Sequence, residues 1–125
     1  MNKIHTDKAP AAVGPYSQAI KINGMVFTSG QIALDPATGD IVGTDIKTQA
    51  TLVMQNLMEV LKAAGADQKN TVKTTCFLSN MDDFAAFNEV YAQYFTEAPA
   101  RSCVAVKTLP KNVLCEVEAI AVAEG

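Results

Sequence analysis

The sequence predicts an α+β domain in which a mixed β-sheet carries two helices on one face. Three observations lead there. Short segments alternate apolar and polar residues between turn signals, two longer segments carry helical periodicity, and the order is strand, strand, helix, strand, helix, strand, strand. Helices set between strands in this way imply crossover connections, and packing both on one side of the sheet is the economical arrangement. The 125 residues, 49% of them hydrophobic, suit one domain over 1–125 that buries roughly two thirds of its unfolded surface. With 18% charged residues and no low-complexity run, the chain is expected to fold almost throughout, apart from a polar, mobile N-terminal stretch.

After that stretch, "YSQAIKI" alternates, Asn23-Gly24 supplies a hairpin turn, and "MVFTSG" returns. "LDPATGD" reads as a turn around Pro36 and Gly39, with a short strand placed near Ile41. From Thr44 or Asp45 as cap, apolar residues recur at Ile46, Ala50, Val53, Leu57, Val60, Leu61 and Ala64, and Gly65 stands where a helix ends. "TVKTTCFLS" is a strand. Ser79 or Asn80, followed by Asp82 and Asp83, opens a second helix with Phe84, Phe87, Tyr91, Tyr94 and Phe95 on one side, which stops before Pro99. "RSCVAVKTL" and "VLCEVEAIAVA" close the chain as strands of one hairpin around Pro110, Lys111 and Asn112. The sheet face opposite the helices has no element left to cover it, so burial against other copies of the chain is expected.

Composition removes several function classes. A net charge of -3 and ten scattered Lys and Arg argue against a phosphate-binding surface, so no nucleic acid is expected as the main partner. No apolar run approaches the ~20 residues of a membrane span, and the N-terminus lacks a signal-peptide pattern. A cytoplasmic protein without membrane contact is expected, with Cys76, Cys103 and Cys115 as reduced core thiols. His5 is the only histidine, which leaves Cys-His and Ser-His-Asp systems without a base. One histidine and three isolated cysteines make no ordinary ligand set, so no metal is expected. The glycines form neither a dinucleotide fingerprint nor a P-loop, so no nucleotide cofactor is expected either.

The remaining polar groups are few. In the last strand, alternation puts Glu116 and Glu118, about 7 Å apart, on one largely apolar face. Arg101 opens the nearly uncharged run Cys103, Val104, Ala105, Val106 and is a cation of the right shape for a carboxylate, whether a glutamate in an ion pair or a ligand. Asn88 lies on or beside the aromatic side of its helix, as a satisfied amide or a ligand contact. Tyr16 follows Gly14-Pro15, and Ser29-Gly30-Gln31 ends the second strand, where turn chemistry and close approach to a ligand both call for such residues. Taken together, these groups suit a small anion: a guanidinium fork, a carboxylate to handle water or a proton, and hydroxyls for orientation.

Four stretches carry a resemblance to a known family: "APAAVGPYSQAI", "TSGQIALDPATGDIVG", "VKTTCFLSNMDDFAAFNEVY" and "PARSCVAVKTLPKNVLCEVEAIAV". From Ala9 to Ala123 the chain closely resembles the RidA, or YjgF, family of enamine/imine deaminases, the last stretch being the most specific. The resemblance implies a chorismate-mutase-like subunit in a homotrimeric barrel, with sites in the clefts between subunits. It implies hydrolysis of 2-imino acids such as 2-iminopropanoate and 2-iminobutanoate to 2-oxo acids and ammonia, with no cofactor. Matched position by position, Arg101 is the substrate-carboxylate arginine and Glu116 the residue that positions or activates water. Tyr16, Ser29, Gly30, Asn88 and Cys103 match residues lining the same cleft, while Glu118 is assigned a structural role. The connection before Pro99 is shorter than in some members, and Cys115 replaces the usual aliphatic residue as a packing variant. A cleft that only binds 2-oxo acids as a sensor would keep the same polar groups. Ribonuclease activity fits the acidic balance poorly, and a holdase role would not depend on Arg101.

Overall fold

The computed structural model describes residues 1–123. Six strands and two α-helices follow one another as β1 (Asn2–Ile4), β2 (Ala19–Ile22), β3 (Met25–Thr28), α1 (Ile46–Ala63), β4 (Thr71–Leu78), α2 (Phe84–Tyr94), β5 (Ala100–Ala105) and β6 (Cys115–Val122). They form one sheet in the order β1-β2-β3-β6-β4-β5, with β4 and β5 parallel and every other neighbour antiparallel.

Local chemistry accounts for most boundaries. Asn23 and Gly24 both take positive φ, 51° and 76°, as a two-residue hairpin loop requires. The Asp45 carboxylate accepts from the Thr48 amide at 3.0 Å and starts α1, and Gly65 at φ 83° follows its end. Asn80 caps the single 3₁₀ turn Met81–Asp83 that leads into α2. The short strand expected near Ile41 is a single bridge, Leu34 to Ile41.

Four expectations need correction. The N-terminal stretch is not free: β1 pairs with β2 from Asn2 to Ile4. An edge strand needs only backbone hydrogen bonds on one side, which polar residues supply as well as apolar ones. Tyr16 lies before β2, which begins at Ala19. The run from Arg101 stops being a strand after Ala105. Finally, β5 and β6 are not a hairpin. The connection wraps the end of β4, where the Val106 amide donates to Leu78 O and the Ser79 amide to Leu114 O. It delivers β6 to the far side of β4, between β4 and β3.

The core lies between the helices and one sheet face. Val26, Cys76, Leu78, Cys115, Val117, Ala119 and Ala121 meet Ala50, Val53, Met54, Leu57, Val60 and Leu61 of α1 and Phe87 of α2 there. Cross-strand pairs share a face, so the pairs Phe27–Ile120, Thr75–Glu118, Phe77–Glu116 and Phe77–Val104 define the opposite one. That face is open: Phe27, Val104 and Val122 are each more than 40% exposed. Among the described residues no helix is long and apolar enough to cross a membrane.

Candidate functional site

The predicted site residues fall into two clusters on opposite faces of the sheet. Arg101 and Cys103 pair in register with Thr74 and Cys76, whose side chains are fully buried on the helix face. Because β5 is the sheet edge, the helices cover Arg101 only in part, and it lies beside α2. Phe84, Asn88 and Tyr91 are spaced i, i+4 and i+7 on that helix, which puts them on one side of it. Arg101 Nη1 donates to Asn88 Oδ1 at 2.7 Å, and its guanidinium carbon lies 4.8 Å from the Tyr91 ring centre and 5.5 Å from that of Phe84. Among the described residues no carboxylate pairs with it. Burial pushes the Cys103 thiol upward, with Arg101 only partly offsetting it, so this is a neutral thiol and not a nucleophile in waiting.

Glu116 faces the other way. The Gln31–Val117 bridge lays Ser29 and Gly30 against the start of β6, where Glu116 stands. A Cβ on residue 30 would overlap the Glu116 carboxylate, so the glycine is the space that this carboxylate occupies. Ser29 Oγ donates to Ser17 O at 2.6 Å, which leaves its lone pairs free to accept. Burial, and secondarily Glu118, raise the Glu116 carboxyl above its ordinary range. The carboxylate opens onto a cavity of about 590 Å³ walled by Pro10, Val13, Ile32, Leu34 and Pro110, with Tyr16 and Lys111 at its sides.

The resemblance places seven residues in one cleft, but a single chain does not bring them together. It groups Tyr16, Ser29, Gly30 and Glu116, and separately Asn88, Arg101 and Cys103. Along β4, Arg101 pairs with Thr74 and Glu116 with Phe77, so the two lie roughly 10 Å apart along the sheet, about 10 Å across it, and on opposite sides. The idea that Arg101 neutralises Glu116 or Glu118 within one chain is thereby corrected.

Several supporting residues escaped the sequence reading. The buried Gln18 amide donates to Thr6, Ala9 and Pro10 carbonyls and accepts from the Thr6 amide, which holds one cavity wall. Asn56 donates to Ile32 O and Leu34 O and holds another, while Gln49 ties α1 to Leu114 ahead of β6. Their signal was available: Gln49 and Asn56 interrupt the apolar side of α1, and a buried amide there must bond something.

Gly30→Ala tests the Glu116 side. Its φ is not in the left-handed region, so alanine is conformationally allowed, and the flexible glutamate can move aside. The melting temperature should hardly change, whereas turnover of the substrate class proposed below should fall roughly tenfold to a hundredfold, the cost of misplacing a reacting group. Wild-type turnover would show that the carboxylate position is immaterial.

Comparison with known proteins adds the following. The family described as Endoribonuclease L-PSP matches residues 6–123. The chain is 56% identical over 125 residues to a RutC family protein, slr0709, of Synechocystis, covering 98% of this chain and 96% of the relative. It is 48% identical over 120 residues to a protein of Mus musculus named 2-iminobutanoate/2-iminopropanoate deaminase, covering 95% and 89%. Among solved structures, E. coli TdcF with bound serine superposes with a TM-score of 0.94 at 45% identity, covering 99% of this chain and all of that one.

Proposed function

Because the chain belongs to the Endoribonuclease L-PSP family, also known as RidA or YjgF, we propose that it hydrolyses 2-imino acids to 2-oxo acids and ammonia, with Arg101 binding the substrate carboxylate and Glu116 handling the proton of the attacking water. The observation that carries this reading is Arg101 itself: a fixed guanidinium that neutral groups hold and no carboxylate of the described chain neutralises. A relative named as an imine deaminase and a neighbour crystallised with an amino acid agree with it.

The reaction asks little of the site. An iminium carbon is already electrophilic; water adds to it, and Glu116 takes the proton released. The resulting carbinolamine then regains that proton on nitrogen, the C–N bond breaks to release ammonia, and the hydroxyl proton passes through the Glu116 carboxylate to the ammonia as the ketone forms, so the products are a 2-oxo acid and ammonium. A carboxyl whose pKa is raised towards working pH is suited to both transfers. The apolar walls beside Glu116 leave room for the substrate side chain.

Neither cluster suffices alone, so the complete site needs Arg101 of one copy and Glu116 of another. The open, apolar sheet face supplies the reason to assemble, and we place it inside a homotrimer whose closed symmetry repeats one such cleft three times. Mixing subunits tests this. Arg101→Ala and Glu116→Gln proteins, each expected to lose at least about a hundredfold in activity, should regain it after joint unfolding and refolding, approaching about a quarter of wild type for random two-subunit sites. Mixtures that stay inactive would place both residues in the same chain's site.

The activity is tested by coupling a serine or threonine dehydratase to this protein and following loss of the released imine. Faster conversion to the 2-oxo acid is expected. No acceleration, with 2-oxo acid binding retained, would replace the enzyme by a sensor. The single histidine, His5, bonds Asp7 on the surface and belongs to neither cluster, so an RNA-cleaving acid–base pair built on histidine has no support here.

A further inference from the structure

Four neutral side chains surround or support Arg101, and their arrangement is specific. Tyr91 and Phe84 turn ring faces to the guanidinium at 4.8 and 5.5 Å, and Asn88 Oδ1 accepts one N–H at 2.7 Å. The Tyr91 hydroxyl shares a 2.7 Å hydrogen bond with Thr74 Oγ1, and Thr74 is the residue that pairs with Arg101 between β4 and β5. The root of the arginine and the tilt of the ring under it are therefore set by the same cross-strand pair. Tyr91 is further stacked on Phe95 at 4.9 Å and tilted against Phe87 at 5.9 Å, which fixes the ring from its other contacts.

We propose that Tyr91 and Phe84 are positioning residues for the reaction, forming with Asn88 a charge-neutral clamp that fixes Arg101 while leaving its charge and most of its N–H fork for a substrate carboxylate. The inference rests on the carboxylate-binding role given to Arg101 above. A carboxylate in the place of Asn88 would hold the guanidinium more strongly, but it would occupy the donors that an incoming carboxylate needs and cancel the charge that attracts it. Ring faces attract the cation without consuming a single N–H, and Asn88 consumes one of five. Burial raises the Tyr91 hydroxyl, so the ring stays uncharged at neutral pH.

The test measures affinity of the intact protein for 2-oxobutanoate, a stable stand-in for the imino acid, and for its uncharged amide, by calorimetry. Phe84→Leu, at a half-buried position, should weaken the acid roughly threefold to tenfold and leave the amide unchanged. Asn88→Asp, isosteric but charged, should weaken the acid by more than about tenfold, again sparing the amide. Tyr91→Phe keeps the ring and should stay within about twofold, whereas Tyr91→Leu should behave like Phe84→Leu. In turnover these changes should appear mainly in KM, because the carboxylate contact exists in both ground and transition states. If Tyr91→Leu fails to fold, Phe84→Leu and Asn88→Asp decide. Wild-type affinity in both folded variants would overturn the clamp, as would equal losses for acid and amide, which mark a merely structural role. Wild-type acid binding by Arg101→Ala would overturn the carboxylate-binding role beneath it, and is distinguishable because it appears with the clamp intact.

Discussion

Arg101→Lys is expected to lower kcat/KM for 2-imino acids roughly 10²-fold, and Arg101→Ala roughly 10²- to 10³-fold, in the dehydratase-coupled assay, with the fold and assembly unchanged. Lysine keeps the charge but not the geometry. Its ammonium cannot pair both carboxylate oxygens in one plane, and it gives up the guanidinium's contacts with the Tyr91 and Phe84 rings that hold it in place. One charge-assisted hydrogen bond to the carboxylate is worth about 1.5–3 kcal/mol, which matches the roughly hundredfold loss expected for Arg101→Lys, and losing both members of the bidentate pair accounts for the larger loss in Arg101→Ala. Stability should be spared because no partner charge is stranded: Asn88 is neutral, half-buried, and can take water instead. Near-normal turnover by Arg101→Lys would remove the carboxylate-binding role, whereas loss of turnover together with loss of the melting transition would report only misfolding.

Much of this arrangement can be read from the chain, and the rest has identifiable physical reasons for being hidden. The helix α1 announces itself through Asp45, its apolar stripe and Gly65, and the hairpin through Asn23-Gly24, because each is decided by neighbours in sequence. Alternation in β6 correctly puts Glu116 and Glu118 on the face away from Cys115, Val117 and Ala119. The place of β6 in the sheet is another matter. Pro110 to Asn112 signals a reversal, and with Lys111 and Asn112 both at φ 57° it is one, but a turn does not say on which side of β4 the chain lands. The face taken by Arg101 is hidden for a similar reason. In β5 the alternating sets Arg101, Cys103, Ala105 and Ser102, Val104 are close in polarity, so only the register with buried Thr74 and Cys76 identifies the helix side. The resemblance supplied the site residues as one group; the strand register divides them into two.

Glu116→Gln should abolish most turnover, roughly 10²- to 10⁴-fold in kcat as for loss of a general base, yet leave the protein as stable or slightly more so at neutral pH. The second half follows from linkage. Burial raises the Glu116 carboxyl in the folded state, and Glu118 adds to the shift, so between the ordinary carboxylate pKa and the raised value the folded chain binds more protons than the unfolded one. Stability tied to this group is complete below the unfolded pKa and declines as pH rises through the folded one. At neutral pH the ionised carboxylate is therefore a cost to the fold. Glutamine has the same shape beside Gly30 and no charge to desolvate, so the decline tied to this group should be missing from its profile of melting temperature against pH. Activity runs in the opposite direction, since the base must be ionised to accept a proton from water. The acid limb of the wild-type kcat profile, which reports the complex in which the substrate carboxylate already neutralises Arg101, should accordingly lie above the pH of an ordinary glutamate, and it should vanish in the residual activity of Glu116→Gln. A carboxylate kept for its fold would give the reverse pattern: lower stability in the glutamine variant and an unchanged acid limb. The expected pattern ties the raised carboxyl to proton transfer, since the same burial that costs stability moves the base toward the pH at which it works.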